Sequence, residues 1–94
     1  MSRAFFKLTK EHIIPVAPDI LRAFIQSDST NPVIGSWSES NAGRINSASF
    51  GLRNFGGNNG VVITAFLIAP ISAGQEVDFT IDQDGANFHT PIPF

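Results

Sequence analysis

His12 and His89 are the side chains best suited to proton transfer near neutral pH, and the chain has no other histidine. His12 precedes Pro15 in a connector, and His89 lies close to the C-terminus. Neither has a sequence neighbour that would form a nucleophile, base and orienting group. Serines are plentiful, but none occupies a Gly-x-Ser-x-Gly turn that would expose a reactive hydroxyl. The chain is therefore not expected to be an enzyme, and no small-molecule substrate is expected. Asp82, Asp84, Gly85 and Asn87 faintly echo a calcium loop, yet Pro93 occupies the position where a bidentate Glu would close it. A hairpin-type turn over Gln83-Asp84-Gly85 accounts for the same residues. With no cysteine there is no thiolate metal site and no disulfide. No metal or cofactor is expected. Gly56-Gly57-Asn58-Asn59-Gly60 lacks the Lys-Ser/Thr pair of a phosphate loop and reads as a turn. Trp37, between Ser36 and Ser38, offers a ring for stacking on a sugar, although a lone Trp is more often a core or interface anchor.

Composition says more than these residues do. Six basic and eight acidic residues make up 15% of a 94-residue chain, against roughly a quarter in ordinary globular proteins. Ser, Thr, Asn, Gln and Gly supply the remaining polarity. Low charge suits a surface covered by neighbours, and many extracellular β-domains share it. The net charge of −2 argues against nucleic acid as a partner, because phosphate neutralisation needs a basic face. Charge is unevenly spread. Arg3, Lys7, Lys10 and Arg22 outnumber Glu11 and Asp19 near the N-terminus, whereas Glu76, Asp78, Asp82 and Asp84 face no base over residues 76–94. These ends are expected to attract one another, within a subunit or between subunits. The N-terminal charges leave no apolar core for a signal peptide, so secretion by the cleaved route is not expected.

Residues 54–75 carry no charge. Within them Val61–Ile71 is nearly all apolar, too short for the ~20 residues that span a bilayer and too uniform for a strand with one wet face. Membrane insertion is not expected. The run reads as a strand buried on both faces, one of them covered by another subunit, with Phe66 and Ile68 at the contact. Other segments alternate. Phe5–Thr9, Ile45–Gly51 and Val77–Asp82 have strand period, and Val33–Trp37 is a short strand inside an otherwise loop-like stretch over residues 27–43. Pro15 and Pro18 make residues 11–18 an extended connector. Residues 18–26 fit either a strand, which the bulky composition favours, or one short helix. Arg3-Ala4-Phe5-Phe6, Arg22-Ala23-Phe24-Ile25 and Thr64-Ala65-Phe66-Leu67 echo one another at unequal spacing, as equivalent strand positions would.

These elements predict an all-β chain, a small antiparallel sandwich or jelly-roll-like domain over residues 1–94. Its nine Phe and absent Tyr call for dry surroundings. Phe88 lies in a turn and Phe94 in the tail, where they are candidates to fill pockets on neighbours. The tail Thr90-Pro91-Ile92-Pro93-Phe94 cannot be a central strand, because its prolines lack amide donors. It is expected to dock through Ile92 and Phe94, either as an arm on a neighbouring subunit or folded back on its own sheet.

An apolar strand, the turn Ile71-Ser72-Ala73-Gly74-Gln75 and the strand Glu76-Val77-Asp78-Phe79-Thr80-Ile81 together resemble the closing strands of small β-rich proteins of tailed-bacteriophage virions. These are capsid decoration (cement) proteins and short tail or fibre accessory proteins. The resemblance covers about a quarter of the chain. It implies a non-enzymatic structural subunit of a virion, assembled in the host cytoplasm. Such a subunit is repeated by symmetry, often as a trimer, and its partners are its own copies and other virion proteins. It transfers no site residue. Two other classes fit the same composition. One is a lectin-like glycan-binding module using loops 27–43 and 54–60, and the other is a self-assembling filament subunit that pairs sheet edges.

Overall fold

The computed structural model describes residues 2–38 and 44–94. Eight strands are β1 (Ser2–Thr9), β2 (Ile13–Ile14), β3 (Ala17–Gln26), β4 (Val33–Trp37), β5 (Ile45–Phe55), β6 (Asn58–Leu67), β7 (Glu76–Gln83) and β8 (Ile92–Pro93). A single 3-10 turn covers Lys10–His12. The strands form two antiparallel sheets, one ordered β1-β7-β4 and the other β2-β3-β6-β5. β8 shares the far edge of β3 with β2, pairing at Ala23 and Phe24. The long strands alternate between sheets along the chain, except at the β5–β6 hairpin. This is a sandwich with jelly-roll-like winding.

Period-2 patterning fixes the two inner faces. In β7, Val77, Phe79, Ile81 and Gln83 point inward and are fully buried or nearly so, whereas Glu76, Asp78, Thr80 and Asp82 point outward. In the opposite sheet, Leu21, Ala23 and Ile25 of β3 and Val61, Ile63, Ala65 and Leu67 of β6 face them. Phe50 of β5 meets Phe79 edge to face at 5.9 Å and so joins the two sheets. Its ring lies over Gly35 of β4, where any side chain would occupy the same space. The three echoed segments are equivalent positions. In each, Ala faces the core and the following Phe faces out: Ala4/Phe5, Ala23/Phe24 and Ala65/Phe66.

Several expectations need correction. Residues 18–26 are strand, with no helix among the described residues. The connector over 11–18 contains part of the 3-10 turn and a tight β2–β3 reversal at Pro15-Val16. The glycine-rich turn is confined to Gly56 and Gly57, whose φ values of 61° and 85° give the type I′ hairpin geometry that matches strand twist. Asn58, Asn59 and Gly60 already belong to β6. The turn after β7 is not a hairpin. β7 already has β1 and β4 on its two edges, so the chain passes Gly85 (φ 71°) and crosses to β3, where Phe88 bridges Ser27. Of the loop expected over 27–43, residues 39–43 lie outside the described residues and Val33–Trp37 is β4.

Residues 27–32 are held by a buried polar network that sequence reasoning missed. Gln83 is fully buried at the inner end of β7. It accepts from Ser27 Oγ at 2.6 Å and donates through Nε2 to the carbonyls of Ser29 (3.2 Å) and Asn31 (2.9 Å). Ser29 Oγ and Asn31 Nδ2 in turn donate to the carbonyl of Asp84 at 2.6 and 2.9 Å. Ser27, Ser29 and Gln83 are the buried members, and each would cost roughly 1–3 kcal/mol if left unpaired.

Candidate functional site

The residues with chemical potential are dispersed. His12 is buried, and its Nδ1 accepts the Thr9 backbone N–H at 3.1 Å, closing the 3-10 turn. Its Nε2 makes no hydrogen bond among the described residues. His89 lies beyond the other end of β3, its backbone N–H bonded to the carbonyl of Gln26 at 2.9 Å. Asp82 is held by Arg3, with Nε to Oδ1 at 2.7 Å, and the carboxylate beside it raises the Arg3 pKa. Asn87 donates to Asp28 at 3.1 Å rather than turning toward Asp82. No cluster of three or more metal-binding side chains occurs among the described residues. The attraction between the ends operates within the subunit, because β1 pairs with β7 and brings Lys7 Nζ to 3.8 Å from Glu76 in addition to the Arg3–Asp82 pair. Trp37 stands opposite Phe79 in register and packs, half-buried, against the core.

The arrangement that does stand out is apolar. On the outer face of the five-stranded sheet, Phe66 lies directly between Ile20 of β3 and Ser47 of β5. It is 43% exposed, and Ile68, just past the end of β6, is 63% exposed. The expectation of a strand buried on both faces therefore holds only for part of β6. Val62 is covered, its cross-strand partner being Phe24, whereas Phe66 looks out over half-buried Ile20 and small Ser47. The next row is Arg22, Thr64 and Ser49, so the face carries little charge and few bulky side chains. On the other sheet, Phe5 is 76% exposed among the charged pairs of β1 and β7, and Ile34 projects from β4. Sequence alternation in β1 pointed Phe5 away from Phe6, but nothing in the sequence said which of the two faced water.

The remaining interface candidates make contacts within their own chain, although Ile92 and Phe94 stay about as exposed as Phe66. Phe88 is half-buried and meets Phe6 edge to face at 5.9 Å. The tail folds back, as the second of its two placements had it. Ile92 pairs with Phe24 in register, and the Phe94 ring packs 6.1 Å from Phe24 and 5.1 Å from Phe55. Its prolines are tolerated there because β8 lies on an outer edge. Gly60 has no side chain, and Phe24 settles over it; a Cβ at Gly60 would lie 2.6 Å from that ring. No protein-family model, no curated protein and no solved structure matches this chain.

Proposed function

We propose that the chain is a non-enzymatic structural subunit that assembles with copies of itself through the outer face of its five-stranded sheet. The observation that carries this reading is the exposed pair Phe66 and Ile68, with Ile20 and Ser47 beside Phe66 and Arg22, Thr64 and Ser49 in the next row. Contiguous exposed apolar surface of this kind is uncommon on a protein that lives alone. A stable contact needs about 800 Å² from each partner. A subunit measuring 34 × 28 × 20 Å offers a broad sheet face of that order. The low charge of the whole chain points the same way. The contact is centred on Phe66 and Ile68 rather than on the tail, because Ile92 and Phe94 fold onto β3 and the β5–β6 hairpin of their own subunit.

The setting we propose is a bacteriophage virion, with the chain acting as a decoration or tail-accessory protein beside other virion proteins. It rests on the resemblance of Ile71–Ile81, which forms the Ser72–Gln75 turn and most of β7. Sedimentation velocity at micromolar concentration tests the assembly, with Phe66→Asp as the perturbation. An oligomer that becomes monomeric in the variant supports the proposal, and a wild-type monomer defeats it.

A further inference from the structure

We infer that the cleft between the end of β3, the β5–β6 hairpin and the C-terminal tail binds a neutral pyranose sugar. The cleft holds about 450 Å³, within the range of small-ligand sites. Phe55, 53% exposed, supplies the accessible aromatic face, and Phe24, 3% exposed, lies beneath it with ring centroids 5.8 Å apart. Ile92 closes another side. Around this apolar floor stand the side chains of Gln26, Asn58, His89 and Thr90. None of the four spends its side chain on a hydrogen bond to another described residue. Folding has therefore left four hydrogen-bonding groups converging on an aromatic surface.

The chemistry of this set selects the ligand. A pyranose presents an apolar C–H face that stacks on an aromatic ring and a rim of hydroxyls that both donate and accept. Gln26 and Asn58 also donate and accept through their amides, and Thr90 does so through its hydroxyl. A purely apolar ligand would cover these groups and leave them unpaired, at a cost. No Lys, Arg, Asp or Glu is among the described residues lining the cleft, so it holds no permanent charge to favour a phosphorylated or carboxylated ligand, and His89 is its one ionisable side chain. The walls are preset by backbone pairing. The His89 N–H to Gln26 carbonyl bond fixes one side, and the two-residue Gly56-Gly57 turn fixes Asn58 opposite Phe55. The cleft lies on the same outer face as Phe66, at the opposite end of the sheet. Phe66 and Asn58 are eight residues apart on β6, or roughly 27 Å along an extended strand.

Saturation-transfer NMR on the full chain tests the inference, with glucose, galactose and N-acetylglucosamine as probes and glucose 6-phosphate and adenosine as comparisons. At least one of the three sugars should receive saturation on its ring protons, with a Kd in the millimolar range. The signal should fall at least five-fold in Phe55→Ala and in Asn58→Ala, and should persist in Phe66→Asp whatever that variant does to assembly. Asn58 is exposed, so its variant carries the test alone if Phe55→Ala does not fold. The inference is overturned by no transfer to any of the three sugars, by transfer that survives Asn58→Ala, or by stronger binding of glucose 6-phosphate or adenosine.

Discussion

Replacing Phe66 by Asp separates the stability of the subunit from its assembly. Full burial of a Phe side chain contributes about 1.5–3 kcal/mol. Phe66 has withdrawn a little over half of its surface, so its loss from the subunit costs about 1–1.5 kcal/mol. Asp in a strand adds up to about 1 kcal/mol through its poor fit to a pleated surface. The carboxylate reaches water, so no charge is buried. The total is about 2 kcal/mol, which for a domain of this size lowers the melting temperature by roughly 10 °C. The same change at Ile63, which is fully buried in the core, would leave an unpaired charge without solvent and cost more than about 4 kcal/mol. Urea unfolding of dilute, monomeric samples measures the first quantity free of any contribution from association. Sedimentation velocity at higher concentration measures the second. The expected outcome is a Phe66→Asp subunit that folds and no longer assembles, beside an Ile63→Asp chain that does not fold. A Phe66→Asp chain as unstable as Ile63→Asp would show that the ring is buried within the subunit. A Phe66→Asp chain that assembles like the wild type would remove this face from the contact.

Gln83→Leu should lower stability by about 2–3 kcal/mol in urea unfolding, because it strands buried Ser27 Oγ and the carbonyl of buried Ser29. A loss under about 0.5 kcal/mol would mean that water satisfies those groups. Deleting residues 90–94 should cost the subunit about 2 kcal/mol or more by uncovering Phe24 and Phe55, and should leave assembly intact; lost assembly with unchanged unfolding would restore the arm on a neighbour. Gly35→Ala should destabilise by roughly 1–3 kcal/mol in thermal melts, since its methyl group meets the Phe50 ring against the core. Millimolar calcium and a chelator should leave the melting temperature unchanged, because Asp82 is committed to Arg3 and Asn87 to Asp28; a calcium-dependent rise would contradict that assignment.

Much of the fold was legible because strand period and turn chemistry are local. Alternation in Val77–Asp82 identified the inner face of β7, and the stretch Gly56 to Gly60 marked a turn, of which only Gly56 and Gly57 form the reversal. The uniform run Val61–Ile68 hid its exposed member, because an all-apolar strand does not disclose which neighbour covers each outward side chain. Phe24 covers Val62 from β3, while Ser47, opposite Phe66, is too small to cover a ring. The Gln83 network was not legible. It joins residues more than fifty positions apart, and a Gln next to Asp-Gly reads locally as part of a turn. The buried, turn-closing role of His12 leaves no mark in the sequence, because a 3-10 turn of three residues carries no periodic signal. The cleft beside Phe24 was invisible for the same reason as the network. Its walls come from β3, the β5–β6 hairpin and the tail, which only the sheet register brings together.

Sedimentation velocity of the unmodified chain at micromolar concentration tests the central claim most directly. The expected species is a discrete oligomer, heavier than the 10.1 kDa subunit, whose mass falls to the subunit value in Phe66→Asp. A stable, monodisperse species of 10.1 kDa for the unmodified chain would contradict it.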